Sequence, residues 1–272
     1  YRAVTPELIQ NFHERGIMLS AWTVEEEMDM KRLMDWGADF ITSDRPDLVR
    51  NIWERYFDLD RNYMGIKLKI SENDEILRKA VAYAPGIRIL NQERFECLIS
   101  FIISQNNRIP MIKKVISNIS ERFGKRIGEV NGKEYYAFPA PIELAAADEA
   151  KLMECKTGFR AKYIMDAVEK VLNGKLDLDD DNIDTDSLRK KLMEVKGVGP
   201  KVADCTMMFS FGRCETFPTD VWVKRIMSEL YFNGNEVGIK EIHKKADECF
   251  GEYAGYAQQY LFNYARQFKI GA

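Results

Sequence analysis

The stretch V-K-G-V-G-P-K-V-A-D-C-T-M-M-F-S-F-G-R-C-E-T-F-P-T-D (195–220) limits the folds open to this chain more than any other. Its first half predicts a helix end, a tight glycine-rich turn and a new helix. Gly197, Val198 and Gly199 form the turn, with both glycines expected in backbone angles that other residues avoid. Pro200 suits the first turn of the following helix. A turn of this kind points unpaired backbone N–H groups outward at a helix N-terminus, where an anion such as phosphate is favoured. Lys201, Cys205 and Phe209 follow at i, i+4 and i+8, on one helical face. Nineteen residues after Lys201 comes Asp220, preceded by Pro218.

The remainder of the chain reads as mainly α. From about residue 51 the apolar spacing predicts helices near 73–84, 92–105, 109–124, 141–155, 159–173, 185–195, 200–211, 219–232, 238–250 and 254–267. The helix-hairpin-helix unit is then about 185–211. Residues 1–50 differ. Ile17–Val24 and Asp39–Ser43 read as strands, Glu25–Trp36 as a helix, and Pro46 opens another, giving a short βαβα segment. That helix is expected to run unbroken through Val49 and Ile52 into Trp53 and Phe57. Two domains follow from this reading, 1–50 and 51–272. The run Lys175–Asp186 is densely acidic, but it lacks the central Gly and terminal Glu of a calcium loop and reads as a solvated connection.

Charge does not advertise a nucleic-acid partner, since the net charge is −3. The balance is uneven, however. Residues 1–50 hold six basic and ten acidic residues, which leaves 34 basic against 33 acidic elsewhere. A neutral domain can still grip phosphates through a local basic face and backbone amides. The five cysteines form no C-x-x-C pair, so neither a zinc nor an iron–sulfur site is expected. Their odd number fits a reducing cytoplasm. No apolar run approaches membrane-spanning length.

Helix-hairpin-helix, then Lys201, then Asp220, resembles the arrangement of the bifunctional base-excision DNA glycosylases, 8-oxoguanine DNA glycosylase/lyase in particular. The resemblance implies that damaged double-stranded DNA is the partner. It also implies that Lys201 is the amine nucleophile at C1′ and that Asp220 stabilises the developing sugar cation and moves protons. Such an amine must be partly neutral, and the positive end of a helix disfavours an ammonium. Asp220 also reads as the cap of the next helix. No cofactor is implied, although a monovalent cation at the hairpin carbonyls is. A monomer acting with the nucleoid in a prokaryotic cytoplasm is expected.

Three further segments extend the resemblance. F-I-I-S-Q-N-N-R (101–108) is similar to the family's S-x-N-N segment, which assigns Asn106, with Asn107 as its neighbour, to the base left opposite the vacancy. An amide supplies both the donor and the acceptor that a base edge requires. T-G-F-R-A-K-Y (157–163) resembles the turn whose aromatic wedges into the duplex and whose Arg contacts the estranged base, here Phe159 and Arg160. Y-A-G-Y-A-Q-Q-Y-L-F (253–262) resembles the segment that builds the base pocket. There Gln258 would bond the base edge, while Phe262 and Cys205 would cover its two faces. Trp222 and Phe209 complete the pocket and resemble the bacterial branch. Met111 stands where mammalian members have Arg, so weaker discrimination of the opposite base is expected.

Residues 1–50 resemble the C-terminal end of the glycerophosphodiester phosphodiesterase TIM barrel. A quarter barrel cannot close, so no phosphodiesterase activity is expected. This segment occupies the place of the family's N-terminal antiparallel-sheet domain, whose loss would degrade the distinction between 8-oxoguanine and guanine. Two rivals remain open at this stage. One is a monofunctional alkylpurine glycosylase, which would need Asp220 but no lysine. The other is a non-catalytic helix-hairpin-helix module.

Overall fold

The computed structural model describes residues 4–15, 17–21, 23–24, 26–38, 40–41, 46–130 and 133–271. It is mainly α, as the sequence predicts. Three helices and a parallel strand pair open the chain. Helix α1 (Pro6–Glu14) was not foreseen; Thr5 caps it by accepting a hydrogen bond from the Leu8 N–H at 3.3 Å. Strand β1 (Ser20–Ala21) pairs in parallel with β2 (Phe40–Ile41), in the register Ser20↔Phe40, and helix α2 (Glu27–Asp35) connects them. The βαβα order holds, with two residues of each strand among the described residues. Trp22, Asp39 and residues 42–43 of the expected strands lie outside the described residues. Helix α3 (Pro46–Tyr56) crosses the expected 50/51 boundary without a break, and Trp53 stacks on Phe57 at 4.9 Å.

The opening segment has its own small core of Ala21, Val24, Met30 and Leu33, against which Ile52 of α3 packs. It also docks elsewhere. Arg32 donates from Nη1 to the Ile127 carbonyl at 3.1 Å, and a Cβ on Gly128 would lie 2.6 Å from Trp36 Cζ2. Both acceptor sites belong to an antiparallel hairpin, β3 (Arg126–Val130) and β4 (Lys133–Tyr136), that the sequence reading missed. Gly128→Val is therefore expected to push α2 off the hairpin. The loss should be about 1–3 kcal/mol, the usual range for overpacking, read as a lower melting temperature and faster proteolysis before residue 46, with DNA chemistry unchanged.

The main body begins with α4 (Tyr63–Ser71), another helix absent from the sequence reading, and α5 (Glu75–Tyr83). Helices α6 (Arg94–Ser104) and α7 (Ile109–Phe123) precede the hairpin. The single helix expected over 141–155 is broken into α8 (Pro141–Leu144) and α9 (Glu149–Glu154). Asp148 accounts for the break: its carboxylate accepts the Lys151 N–H at 2.8 Å and starts a new helix instead of continuing the old one. Then come α10 (Ala161–Leu172), α11 (Thr185–Met193), α12 (Pro200–Ser210), α13 (Val221–Tyr231), α14 (Ile239–Phe250) and α15 (Ala254–Phe268). The acidic run between α10 and α11 is only partly solvated. Leu176 and Leu178 are buried, Asp181 pairs with Arg94, and Asp184 caps α11.

Two apolar cores meet along α12. Val202, Ala203 and Met207 belong to the core built on α6, α7, α10 and α11, whereas Met208 belongs to the one built on α4, α5 and α13–α15. Residues 202–208 are all buried, so α12 is fixed on every side and its N-terminal end is the part left to act. Within it Asp204, 2% exposed, accepts from Arg189 Nε of α11 at 2.8 Å and fastens the two hairpin helices together.

Candidate active site

The hairpin turn between α11 and α12 is held by one close approach. Gly197 has φ +78°, and a Cβ there would meet the Tyr163 ring of α10 at 2.3 Å, so both its conformation and its contact require glycine. Gly199 does not follow the expectation. It is the N-cap of α12 in ordinary extended backbone, φ −100° and ψ −179°, with nothing within 4 Å of where its Cβ would sit. What glycine leaves there is open space beside the chain, through which another backbone can approach. No side chain caps α12, and Pro200 has no N–H. The Lys201 and Val202 amides are consequently left without an intrahelical acceptor, as at any helix start.

Asp166 of α10 anchors this turn. It is buried, and it accepts from Lys170 Nζ at 2.7 Å and from the Lys196 N–H at 2.8 Å, with Lys196 Nζ at 3.4 Å. Burial works to raise its pKa, but the Lys170 and Lys196 bonds prevail and hold the carboxyl below its ordinary 3.8. A carboxyl lowered on folding stabilises the fold above its unfolded pKa, and that gain is lost as pH falls through the folded value. Asp166→Asn is expected to cost about 1–3 kcal/mol at pH 7, the range for bonds to a charged group. In denaturant melts its deficit against the native protein should start to shrink below about pH 4, where the unfolded chain's carboxyl takes up a proton, and should be gone only once pH has fallen through the lower folded value.

Lys201 leaves the start of α12 toward α6. Its Nζ lies 5.2 Å from the centroid of the Phe101 ring, and Phe101 in turn stacks on Phe209 at 5.7 Å and 23°. The i, i+8 pair of one helix thus shares a single aromatic surface supplied by another. Cys205, between them, is buried. Its thiol is pushed up to about 12, first by that burial; Lys201 opposes the shift by charge and hydrogen bond, while Asp204 and Asp220 add to it. The sulfur is therefore a neutral wall and no rival nucleophile. The charges of both Lys201 and Asp220 bear on this thiol.

Asp220 stands at the end of the loop ahead of α13. It caps the helix, its Oδ1 accepting the Val223 N–H at 2.8 Å, and among the described residues Oδ2 has no hydrogen-bond partner. The loop itself is tightly fastened. Thr216 donates to the Arg213 carbonyl at 2.8 Å, Gln258 Nε2 to the Pro218 carbonyl at 3.3 Å, and Thr219 to the Phe217 carbonyl at 2.9 Å. His243 Nε2 lies 3.1 Å from the Thr219 hydroxyl. Gln258 is buried beside this loop, with its Oε1 accepting from Gln259. Phe262 is half-buried against the second core. Trp222 is 49% exposed, next to Asp220, with Arg225 over its ring at 5.7 Å.

The two segments expected to meet DNA also converge. Phe159 is 51% exposed in a single 3₁₀ turn, Gly158–Arg160, its ring edge-on to Tyr163 at 5.9 Å. Tyr163 thereby touches both the wedge candidate and the hairpin glycine. Asn106 is exposed in the left-handed region, φ +47°, whereas Asn107 is committed to the protein: it donates to the Ile103 carbonyl at 3.2 Å and accepts the Arg108 N–H at 2.9 Å. Arg160 departs from the expectation of a base contact. Only 7% exposed, it is turned inward onto backbone carbonyls. Helix ends offer unpaired carbonyls, and those just past α6 take up this cation.

Sequence reasoning missed Phe101, Tyr163 and Asp166, none of which lies in the Lys–Asp motif. The helical stripe of α6 could have pointed to Phe101 as a core residue but not to its contact with Lys201. Nor could spacing reveal that Arg160 bonds a segment more than fifty residues earlier. Together the site holds an amine, a carboxylate and an aromatic surface around a neutral thiol. Beside them are free amides suited to phosphate, an exposed aromatic and an exposed amide.

Comparison with known proteins agrees with this geometry. Residues 99–251 match the HhH-GPD superfamily of base excision DNA repair proteins. Residues 17–98 match the N-terminal domain of 8-oxoguanine DNA glycosylase. Part of the pattern expected to be missing is therefore present, and it begins inside the segment compared above with a phosphodiesterase, although the strands described there are a parallel pair. The chain is 31% identical over 240 residues to a probable N-glycosylase/DNA lyase of Methanothermobacter thermautotrophicus, covering 80% of this chain and 74% of that one. It resembles the structure of Clostridium acetobutylicum 8-oxoguanine glycosylase/lyase in complex with double-stranded DNA containing cytosine opposite 8-oxoguanine. The TM-score is 0.77 at 47% identity, covering 83% of this chain and 77% of that one. A stretch of 49 residues, 18% of the chain, is 41% identical to a probable glycerophosphodiester phosphodiesterase of Mycobacterium tuberculosis and spans 19% of it, a partial likeness only. Site geometry and similarity agree: the chain belongs to the HhH-GPD superfamily of base excision DNA repair proteins, among the 8-oxoguanine DNA glycosylase/lyases.

Proposed function

We propose that this chain excises oxidised purines, 8-oxoguanine above all, from double-stranded DNA and then cuts the strand through a Schiff base on Lys201. The observation that carries the reading is that Lys201 and Asp220, from separate elements, both act electrostatically on the buried Cys205 thiol. The free amides at the start of α12 receive a phosphate, and the open space at Gly199 lets the backbone come close. Phe159 fills the gap left by the extruded nucleotide, and Asn106 reads the base left behind. The base enters the pocket of Cys205, Phe209, Gln258, Phe262 and Trp222.

The neutral Lys201 amine attacks C1′, and the glycosidic bond breaks with its electron pair leaving on the base, which takes up a proton. Asp220 Oδ2 faces the sugar as positive charge develops and can accept a proton from the attacking nitrogen. Loss of the ring oxygen's bond to C1′ then yields the Schiff base. Removal of a C2′ proton expels the 3′ phosphate, and water later releases Lys201. A monovalent cation would sit on the carbonyls of residues 196–198, which accept no hydrogen bond among the described residues, and would stiffen the turn without entering the reaction.

We read the chain as a monomer that acts with the chromosome in the cytoplasm. Among the described residues no helix is long and apolar enough to cross a membrane. Residues 1–50 are read as a docked segment outside the chemistry, with the glycosylase core at 51–272. The test is borohydride reduction during reaction with duplex carrying 8-oxoguanine, an alkylated purine or no lesion. A covalent adduct with the first alone is expected. Excision of the alkylated purine without any adduct would favour the monofunctional rival.

A further inference from the structure

We propose that His243, on α14, is a positioning residue for Asp220: it tethers Thr219, the chain neighbour of that carboxylate, and so fixes the direction in which Asp220 Oδ2 faces. This rests on the reading of Asp220 as the carboxylate that meets the sugar. Nε2 of His243 lies 3.1 Å from the Thr219 hydroxyl. A hydroxyl has one proton, and that of Thr219 goes to the Phe217 carbonyl at 2.9 Å. Its oxygen is left as an acceptor, so His243 donates from Nε2–H. The imidazole also stands nearly perpendicular to the Phe217 ring, with centroids 6.5 Å apart, and Phe217 stacks on Phe250 of the same helix at 6.3 Å and 22°.

A reacting group keeps its geometry only where the residues behind it are locked. Among the described residues, two hydrogen bonds tie residues 217–219 to helices beyond α13. One is the bond from His243 to Thr219, and the other is donated by Gln258 of α15 to the Pro218 carbonyl at 3.3 Å. They are not equivalent. Gln258 belongs to the base pocket, where the edge of the extruded base competes for its amide. His243 has no such second commitment and remains the tether once the base has entered. Its helix is itself held: Ile242 and Ala246 are buried in the second core, and Glu241 accepts the Gly238 N–H at 2.7 Å to close the first turn. Thr219 is 7% exposed, so little water reaches the bond to replace it. The cap bond at Oδ1 holds the Asp220 side chain to α13, while the tether holds the backbone from which that side chain springs.

The experiment compares single-turnover excision of 8-oxoguanine and duplex affinity in His243→Phe and His243→Gln, well below the melting temperature of each. Phenylalanine keeps a ring against Phe217 and removes the N–H, whereas glutamine gives up the ring and keeps an N–H at similar reach. His243→Phe is expected to slow excision by ~10-fold or more, within the ~10²-fold that an ångström of misplacement can cost. Its dissociation constant for the lesion duplex should stay at the native value, and His243→Gln should recover most of the native rate. Native excision by His243→Phe, or no recovery in His243→Gln, would overturn the proposal. The imidazole tautomer is a readout free of activity, taken by proton–nitrogen NMR of the DNA-free protein at the alkaline end of the titration. The chain has two histidines, so His13→Gln assigns the signals. The proton is expected on Nε2. A proton on Nδ1 would make Thr219 the donor and overturn the tether. If the native chain excises nothing, the activity reading fails, while the tautomer still decides the bond to Thr219.

Discussion

Lys201→Gln is expected to abolish the borohydride-trapped adduct and to slow base excision at least ~10³-fold, about 4 kcal/mol of barrier. Glutamine keeps the length and polarity of the side chain but has no nucleophilic nitrogen, so no bond to C1′ can form. It also gives up the place of Nζ near the Phe101 ring and the influence of Lys201 on the Cys205 thiol. Duplex binding should survive. The amides of residues 201 and 202 are backbone groups, Gly197 still packs on Tyr163, and Asp166 still holds the turn. Fluorescence anisotropy with a lesion duplex should therefore give a dissociation constant close to the native one while chemistry is lost. Trapping at the native rate would identify another amine as the nucleophile.

Asp220→Asn separates two roles that one side chain performs. As a helix cap, asparagine is as good as aspartate, so the bond to the Val223 N–H should persist and the melting temperature should hardly move. As a carboxylate facing a developing cation, it has no neutral substitute. Excision should fall ~10²–10³-fold, the range seen when one preorganised electrostatic group is removed. Asp220→Ala should show the same kinetic loss together with about 1 kcal/mol of lost stability from the missing cap. Unchanged turnover in Asp220→Asn would reduce Asp220 to its capping role.

What could be read from the sequence follows the range of the interactions involved. The hairpin, the start of α12 at Pro200 and the cap at Asp220 are local, each set by residues within one turn of one another, and all were legible. So was the unbroken run of α3 across residue 50, since an amphipathic helix announces itself by its own period. The failures are of two kinds. Some are short elements whose signal is weak, such as α1, α4 and the β3–β4 hairpin, or whose pattern hides a competing cap, as Asp148 does within 141–155. The others are contacts between distant segments. Gly199 looked like a strained turn residue, yet its backbone is ordinary and its value lies in the space it leaves. Arg160 looked like an exposed base reader, because nothing within its own heptapeptide shows that carbonyls 105 and 106 wait beside it.

The central claim is that the Lys201 amine becomes covalently joined to the sugar of the excised nucleotide. The most direct test is to reduce the native chain with borohydride during turnover of an 8-oxoguanine duplex, digest the product and locate the sugar remnant by mass spectrometry. The account predicts a single modified residue, Lys201. A remnant on any other lysine or on the terminal amine, or excision with no remnant at all, would contradict it.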